Sequence, residues 1–343
     1  MNKVNYSQLY AKLTKGLSPK TRDIFDRRFG VKTGKTETLE SIGKSLGITR
    51  ERVRQIEEVG FNFVRKNQGE LLNKSFADLE AYFASLGGFK KEELALSELA
   101  GAKNQPYALF LLTIGEQFFR VCEKKDYAYF WSTIPGAEKH VKENLNMLVA
   151  DIQKFGNPLH KKELLVNFAS KYNLNEAALD SYLEVSKQIQ ANKEGKLGLI
   201  DWPEIRPRSV KDKAFLVFKK HQKPLHFREI TTLIDQLDYD KTNDKKTHPQ
   251  TVHNELIKDP RFVLVGRGMY ALGEWGYKPG TIQDVITDVL KAKPHLVSKD
   301  EIVNEVLSQR MVEKNTILIK LNNKKYFQKN EEGKYFAVQS QTA

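Results

Sequence analysis

The sequence predicts a mainly α-helical protein with short β-hairpin wings, in which a helix-turn-helix is followed by an array of winged-helix domains. Three observations lead to this fold class. Residues 18–57 carry helix-capping residues and apolar spacings typical of short packed helices. From about residue 70 onward, helices followed by Gly-centred hairpins recur with a period of roughly 65–70 residues. A chain of 343 residues also exceeds what one hydrophobic core usually organises.

The charge balance favours a polyanionic partner. The chain has 56 Lys and Arg against 43 Asp and Glu, a formal net charge of +13, and residues 1–70 carry about half of that excess. The single cysteine, Cys122, excludes an internal disulfide and a cysteine-based zinc site, and we expect it in the core. Neither an N-terminal apolar segment nor a long apolar run occurs. We therefore expect a cytoplasmic, nucleoid-associated protein with no membrane partner.

Capping residues delimit three helices near the N-terminus. Ser18 begins the first helix, which ends at Gly30. Thr38 caps the second helix and Gly47 supplies its left-handed stop. Thr49 caps the third helix after a short turn, so the second and third helices form a helix-turn-helix.

The third helix separates polar from apolar side chains. At about 100° per residue, one arc contains Arg50, Glu51, Arg54, Gln55 and Glu58. The opposite side contains Val53, Ile56, Val59, Gly60 and Phe63, which we expect to be buried. Arginine binds guanine with two hydrogen bonds, glutamine pairs with adenine, and glutamate can accept from cytosine. The pattern predicts a helix that reads a DNA groove; a solvated face with i,i+4 pairing is the structural alternative.

These motifs carry a family resemblance. R-R-F-G at 27–30 and T-L-E-S-I-G-K-S-L-G-I-T-R-E-R-V-R-Q-I-E at 38–57 resemble region 4 of the sigma-70 family over roughly residues 17–66. In that family the third helix reads the −35 promoter element, and region 4 docks on the flap of the RNA polymerase β subunit. The resemblance implies two partners, promoter-like double-stranded DNA and the polymerase core. It also implies base contacts by Arg50, Glu51, Arg54 and Gln55, and phosphate contacts by Thr38, Lys44, Thr49 and Arg52.

The resemblance to a sigma factor is incomplete. A complete sigma factor also has an upstream region that binds core polymerase and melts the −10 element. Only 16 residues precede Leu17, so we expect one part of sigma function joined to other domains rather than a complete sigma factor.

The clearest repeat of the helix-and-hairpin pattern occupies residues 209–276. P-L-H-F-R-E-I at 224–230, T-V-H-N-E-L at 251–256 and R-F-V-L-V-G-R-G-M-Y-A-L-G-E-W at 261–275 resemble the HARE helix-turn-helix domain. That family includes the N-terminal domain of the RNA polymerase delta subunit. The hairpin predicts a tip at Arg267, where we expect a phosphate contact.

Five domains follow from these patterns: a sigma region 4-like helix-turn-helix at 1–68, a degenerate winged helix at 69–138, a winged helix at 139–203, a HARE-like winged helix at 209–277 and a winged helix at 280–340. Acidic residues lie where some winged helices would meet DNA: Glu176, Asp180 and Glu184 in one third helix, Glu331 and Glu332 in the last hairpin. They favour protein docking there, and whether the winged helices bind DNA or protein stays open.

Motifs for catalysis are missing from the sequence. It has no Gly-rich phosphate loop and no nucleophile elbow, and the spacings of His221, His226, His248 and His253 match no metal-ligand signature. We therefore expect no enzymatic activity, no cofactor and no metal. The predicted function is sequence-specific binding of double-stranded DNA in bacterial transcription, with RNA polymerase contact. The alternatives are a polymerase-associated interaction protein without promoter readout, or the DNA-targeting subunit of a restriction or repair system.

Overall fold

A computed structural model of the chain describes residues 5–172, 174–237, 246–293, 297–331 and 333–337. The chain divides into two units, residues 1–201 and residues 202–343, and each is described by itself. Among the described helices, none is long and apolar enough to cross a membrane.

The first unit begins with four helices: α1 (Tyr6–Leu13), α2 (Pro19–Phe29), α3 (Leu39–Leu46) and α4 (Arg50–Asn67). The caps expected for α2, α3 and α4 are present. The Ser18, Thr38 and Thr49 hydroxyls accept hydrogen bonds from backbone N–H groups three residues later, at 3.1, 3.1 and 3.2 Å. Gly30 and Gly47 end α2 and α3 with φ of 74° and 67°, the left-handed conformation that a side chain disfavours.

The buried face of α4 differs from the one the sequence predicted. Val53 is buried as expected, but Val59 is 68% exposed and Phe63 is 36% exposed. Phe61 and Val64 are buried in their place. The reason is that α4 is twice as long as the motif used to set its phase. Over 18 residues the buried stripe centres on Val64, and Val59 lies about 140° away from it around the helix.

The rest of the first unit contains two segments with the element order of a winged helix. The first comprises α5 (Gly69–Ser85), β1 (Phe89–Lys91), α6 (Glu92–Ala100), α7 (Gln105–Ile114), β2 (Phe119–Val121) and β3 (Phe130–Ser132). The second comprises α8 (Ala137–Phe155), α9 (Lys161–Tyr172), α10 (Glu176–Val185), β4 (Ile189–Ala191) and β5 (Leu197–Leu199). β3 is the central strand of an antiparallel sheet of order β1-β3-β2, and an isolated bridge joins Leu159 to Leu197.

Cys122 is exposed, so its expected place in the core was wrong. It follows Val121, the buried last residue of β2, and strand alternation turns the next side chain away from the core.

The second unit repeats the same element order twice. The first copy comprises α11 (Val210–His221), β6 (Leu225–His226), α12 (Phe227–Gln236), α13 (Pro249–Lys258), β7 (Phe262–Gly266) and β8 (Met269–Leu272). The second copy comprises α14 (Ile282–Ala292), α15 (Lys299–Gln309), α16 (Lys314–Leu321), β9 (Phe327–Lys329) and β10 (Tyr335–Ala337). Each copy has its own apolar core. The mainly α-helical fold class with short antiparallel hairpins is thereby confirmed.

The domain boundaries stay predictions. One feature of the cores bears on them, since the region predicted as two domains at 1–68 and 69–138 shares a single apolar cluster that runs from Tyr6 to Trp131.

Candidate nucleic-acid interface

The turn between α3 and α4 depends on a glycine inside α3. The Ile48 N–H donates to the Gly43 carbonyl at 3.0 Å. A Cβ atom at residue 43 would lie 2.7 Å from the Ile48 carbonyl oxygen, closer than van der Waals contact allows. Glycine therefore lets the turn fold tightly back on α3. The apolar residues Ile24, Ile42 and Val53 form a small core beneath this turn and fix the angle at which α4 leaves it.

A charged network joins α2 to α3. The Arg27 guanidinium donates to both carboxylate oxygens of Glu37 at 3.0 and 2.7 Å, and to the Ser45 hydroxyl at 3.0 Å. The Ser41 hydroxyl also donates to Glu37 at 3.2 Å. Hydrogen bonding from Arg27 is the main reason that the pKa of Glu37 is lowered. A two-pronged arginine–carboxylate pair has a defined geometry, so this network orients the N-terminus of α3.

A second arginine joins α2 to α4. Arg28 donates to the Glu37 carbonyl at 3.1 Å, and its guanidinium lies 3.4 Å from the Glu57 carboxylate. Burial raises the pKa of Glu57, and the nearby charge of Arg28 opposes that rise. The half-buried pair therefore sets the rotation of α4 about its own axis, and with it the direction of the polar face.

The four residues predicted to contact bases are all exposed on the N-terminal part of α4. Arg50, Glu51, Arg54 and Gln55 are brought together there, next to the exposed cap Thr49. In helix-turn-helix domains, the N-terminal residues of the second helix are the ones that reach base edges in the major groove. Their role in base contact stays a prediction, which their placement permits.

These polar side chains pair with one another in the free protein. Arg54 donates to Glu51 through Nη2 at 2.8 Å and through Nε at 3.1 Å, and the pKa of Glu51 is lowered mainly by this hydrogen bonding. Arg52 donates to the Gln55 side-chain oxygen at 3.1 Å. Exposed pairs of this kind contribute little to stability. The pairs can therefore exchange partners for base edges or phosphates at small cost.

The predicted phosphate contacts fall into two sets. Thr38 and Thr49 cap α3 and α4, where unpaired backbone N–H groups and the helix dipole favour an anion. Lys44 is exposed and lies 3.2 Å from Glu40, one turn earlier on α3, while Arg52 holds Gln55 as described. All four side chains are at least half exposed or lie at exposed helix ends, and their contacts with phosphate stay predictions.

Arg267 lies in the second unit, at the exposed tip of the β7–β8 hairpin. Gly268 beside it has φ of 70°, and a Cβ atom there would lie 2.6 Å from the His226 ring. His226 and His253 both pack against the Phe227 ring, with ring centres 4.6 and 4.8 Å apart. Within the described part of the chain no group of His, Cys, Asp and Glu could hold a metal ion.

Sequence reasoning missed the residues that hold this interface in place. Arg27, Arg28, Glu37 and Glu57 form the scaffold of the helix-turn-helix, but their separations in sequence of 9–29 residues follow no helical or strand period. Gly43 could have been found, because a glycine inside an amphipathic helix indicates close backbone approach. Glu332, which was predicted to lie in the last hairpin, falls outside the described residues.

The fold and the exposed face define residues 15–66 as a helix-turn-helix domain. This segment matches the family model "Sigma-70, region 4" over residues 15–66. Residues 208–275 match a second family model, HARE-HTH, the helix-turn-helix domain of ASXL proteins and restriction endonucleases. Both resemblances seen in the sequence are thereby confirmed for their segments.

Curated relatives match the first of these segments. The RNA polymerase sigma factor SigA of a Nostoc species is 48% identical over 46 residues, which cover 13% of this chain and 12% of that protein. The sigma factor SigA1 of Synechococcus elongatus is 41% identical over 59 residues, covering 17% of this chain and 15% of that protein. The chain therefore spans about one-seventh of the length of these relatives, and the similarity extends to one domain.

Proposed function

We propose that residues 15–66 bind double-stranded DNA sequence-specifically, with the N-terminal part of α4 in the major groove. The observation that carries this function is the exposed set Arg50, Glu51, Arg54 and Gln55 on the second helix of a helix-turn-helix. In such a complex the four side chains discriminate between base pairs. A bidentate contact of an arginine or glutamine with a base is worth roughly 1–3 kcal/mol of discrimination.

Phosphate contacts supply much of the affinity. The N-termini of α3 and α4 present backbone N–H groups beside the hydroxyls of Thr38 and Thr49, and Lys44 and Arg52 add exposed cations. Such contacts fix the register of the protein on the duplex without reading its sequence. Arg267 is proposed as a further phosphate contact of the second unit.

We further propose that the DNA target resembles a −35 promoter element and that the chain contacts the RNA polymerase core at the β flap. The region 4 match and the sigma factors that align with it support both partners. A protein with these partners works in the bacterial cytoplasm, at the nucleoid. It acts by binding, without catalysis of its own.

Selection of bound fragments from random duplex DNA, with and without core polymerase, tests this function. A recovered consensus that resembles a −35 element, in either arm, is the expected result. The matched control is the full chain carrying Arg54→Ala and Gln55→Ala, which should recover a weaker consensus or none. If the unmodified chain recovers no consensus in either arm, promoter readout by α4 is wrong.

The self-pairing of the polar face of α4 favours one second candidate. Because Glu51 holds Arg54 and Gln55 is held by Arg52, the same face could remain folded on itself while the domain docks on polymerase. Co-purification with core polymerase, combined with equal affinity for all duplexes, would support that interaction protein over promoter readout. The second family match also names a restriction endonuclease domain; a nuclease that co-purifies with the chain would instead favour a DNA-targeting subunit.

A further inference from the structure

We propose that the last winged-helix segment, residues 281–337, has a second surface for duplex DNA, formed by α16 and the first strand of its hairpin. We call this the lysine surface and define it by Lys320, Lys324, Lys325 and Lys329. It lies outside both family matches, and none of the residues predicted to contact DNA belongs to it.

Charge on this segment is segregated. Residues 314–330 contain five lysines and no acidic residue, whereas six acidic residues of the same segment lie at positions 284–313. The acidic side chains therefore belong to α14, α15 and the loop after α15. A generic solvated surface mixes charges of both signs, so a one-sided distribution within a single small domain indicates an anionic partner.

The lysines are exposed and largely unpaired. Lys320, Lys324, Lys325 and Lys329 are all exposed. Lys314, at the start of α16, lies 3.8 Å from Asp300, and Lys325 stacks over the Tyr326 ring at 5.6 Å. Among the described residues, Lys320, Lys324 and Lys329 have no acidic partner. A cation near the helix C-terminus offsets the helix dipole, which explains Lys320 but not the lysines beyond the last turn.

The third helices of the other described segments lack this character. α7 carries no charged residue and contributes Phe110 and Leu111 to a buried core. α10 carries three acidic residues and no basic one, and α13 carries one of each. The hairpin after α13 is also engaged within its own unit, because the Met311 N–H donates to the Val265 carbonyl at 2.7 Å. The third helix of the last segment, by contrast, is basic and exposes its cations.

The uncharged residues of the surface favour DNA over an acidic protein. α16 buries Ile317 and Leu321 and exposes Asn315 and Ile319, the latter by 71%. An asparagine amide can pair with adenine, and an aliphatic side chain can contact the thymine methyl group. In the winged-helix arrangement the third helix enters a groove while the hairpin lies along the backbone. Glu331 occupies the hairpin tip, so we place the phosphates along Lys324 and Lys329, at the base of the hairpin.

The test uses the full chain and a long duplex of random sequence, with affinity measured between about 50 and 200 mM salt. The variant carries Lys320→Ala, Lys324→Ala, Lys325→Ala and Lys329→Ala. We expect its affinity to fall roughly tenfold or more, and the slope of log affinity against log salt to become shallower by about 0.9 for each phosphate that the variant no longer neutralises. A matched variant carries Lys139→Ala, Lys142→Ala, Lys291→Ala and Lys299→Ala, which remove the same charge from other exposed positions.

Equal affinity and equal salt slope for the two quadruple variants would overturn the lysine surface, and would leave an acidic protein as the partner of α16. Thermal unfolding of both variants checks that the segment remains folded; because all eight lysines are exposed, neither midpoint should move by much. Whether α4 reads a base sequence has no bearing on this result. Loss of promoter readout appears as a missing consensus, whereas loss of the lysine surface appears as sequence-independent weakening.

Discussion

Single residues on α4 have one set of partners in the free protein and are proposed to take another on DNA. Arg54 is held by Glu51 at 2.8 Å, which keeps a long side chain extended over the exposed face. Less rotamer freedom is then lost on binding than for an unrestrained arginine. The Glu51–Arg54 pair is therefore consistent with both candidate functions, and only the base preference of variants separates them.

Replacement of Arg54 or of Gln55 by alanine tests base readout directly. We expect each variant to lose preference at one base pair of the target, by roughly 1–3 kcal/mol, because one bidentate contact disappears. Fluorescence anisotropy with a panel of single-base target variants measures this. Lys66→Ala, at the exposed C-terminal end of the same helix, is the control and should keep every preference. An equal loss of affinity on all duplexes would count against base readout.

Lys44 is expected to behave differently from Arg54. Its ammonium group contacts a phosphate in the proposed complex, so Lys44→Ala should weaken binding to all sequences alike. The salt slope should become shallower by about one unit, which corresponds to one released counterion. Titrations at several salt concentrations give the slope. A variant that lost preference at a single base pair while keeping its slope would show that Lys44 reads sequence.

At the scale of elements, α4 keeps its position through a close approach to α2. A Cβ atom at Gly60 would lie 2.6 Å from the Thr21 methyl group and 2.8 Å from the Phe25 ring. Gly60→Ala should therefore separate the two helices and lower the free energy of unfolding of this segment by about 1–3 kcal/mol, despite the better helix propensity of alanine. Urea unfolding measures the change. Gly69→Ala, where a Cβ meets no atom within 4 Å, should be neutral or stabilising.

The HARE-matching segment has a clamp that should respond to acid. Arg261 donates to Asp259 at 2.7 Å and to Asp212 at 3.2 Å. Burial raises the pKa of both carboxyls, but hydrogen bonds outweigh it, from Ser209 and Arg261 for Asp212 and from Arg261 for Asp259. Both pKa values are therefore lowered in the folded protein. Stability from a lowered carboxyl pKa is present above the unfolded value of about 3.9 and is lost as pH falls through the folded value.

Arg261→Ala should reveal that dependence. At about pH 7 the variant is expected to unfold at a lower temperature than the unmodified chain, because Asp259 is left buried without its partner. As pH falls below about 4, the unmodified chain loses the clamp too, and the two midpoints should converge. Thermal unfolding followed across this range measures the difference. Arg267→Ala, at the exposed hairpin tip, should follow the unmodified chain; a constant offset for Arg261→Ala at every pH would exclude the clamp.

The sequence predicted elements more reliably than their packing. Ser18, Thr38 and Thr49 could be recognised because an N-cap needs only a local hydrogen bond. The buried stripe of α4 could not, since Phe61 rather than Val59 is buried only because α2 and the later helix α7 cover that side. Arg27, Glu37 and Glu57 were missed for the same reason: their partners are set by the tertiary fold, and an exposed arginine has the same local pattern as one that holds a scaffold together.

At the scale of the whole molecule, the region 4-like segment is completed by a helix from the next segment. Phe110 of α7 is fully buried, and its ring centre lies 5.5 Å from that of Phe25, 5.3 Å from that of Phe29 and 6.2 Å from that of Phe61. The Tyr10 ring of α1 packs on the same side at 5.0 Å. The apolar side of α2 and α4 is thus covered by residues more than 40 positions away, so the two segments should share their stability.

Phe110→Ala in the intact chain tests that coupling. Removal of a fully buried aromatic ring is expected to cost roughly 3–5 kcal/mol. Because the ring contacts Phe25, Phe29 and Phe61, the cost should appear as faster amide hydrogen exchange in α2 and α4 as well as in α7. Phe155→Ala, at a position 49% exposed on α8, removes an equal side chain and should leave exchange in α2 and α4 unchanged. If Phe110→Ala accelerated exchange in α7 alone, the helix-turn-helix would be an independent folding unit, and the loss of DNA affinity that we expect for this variant should then be absent.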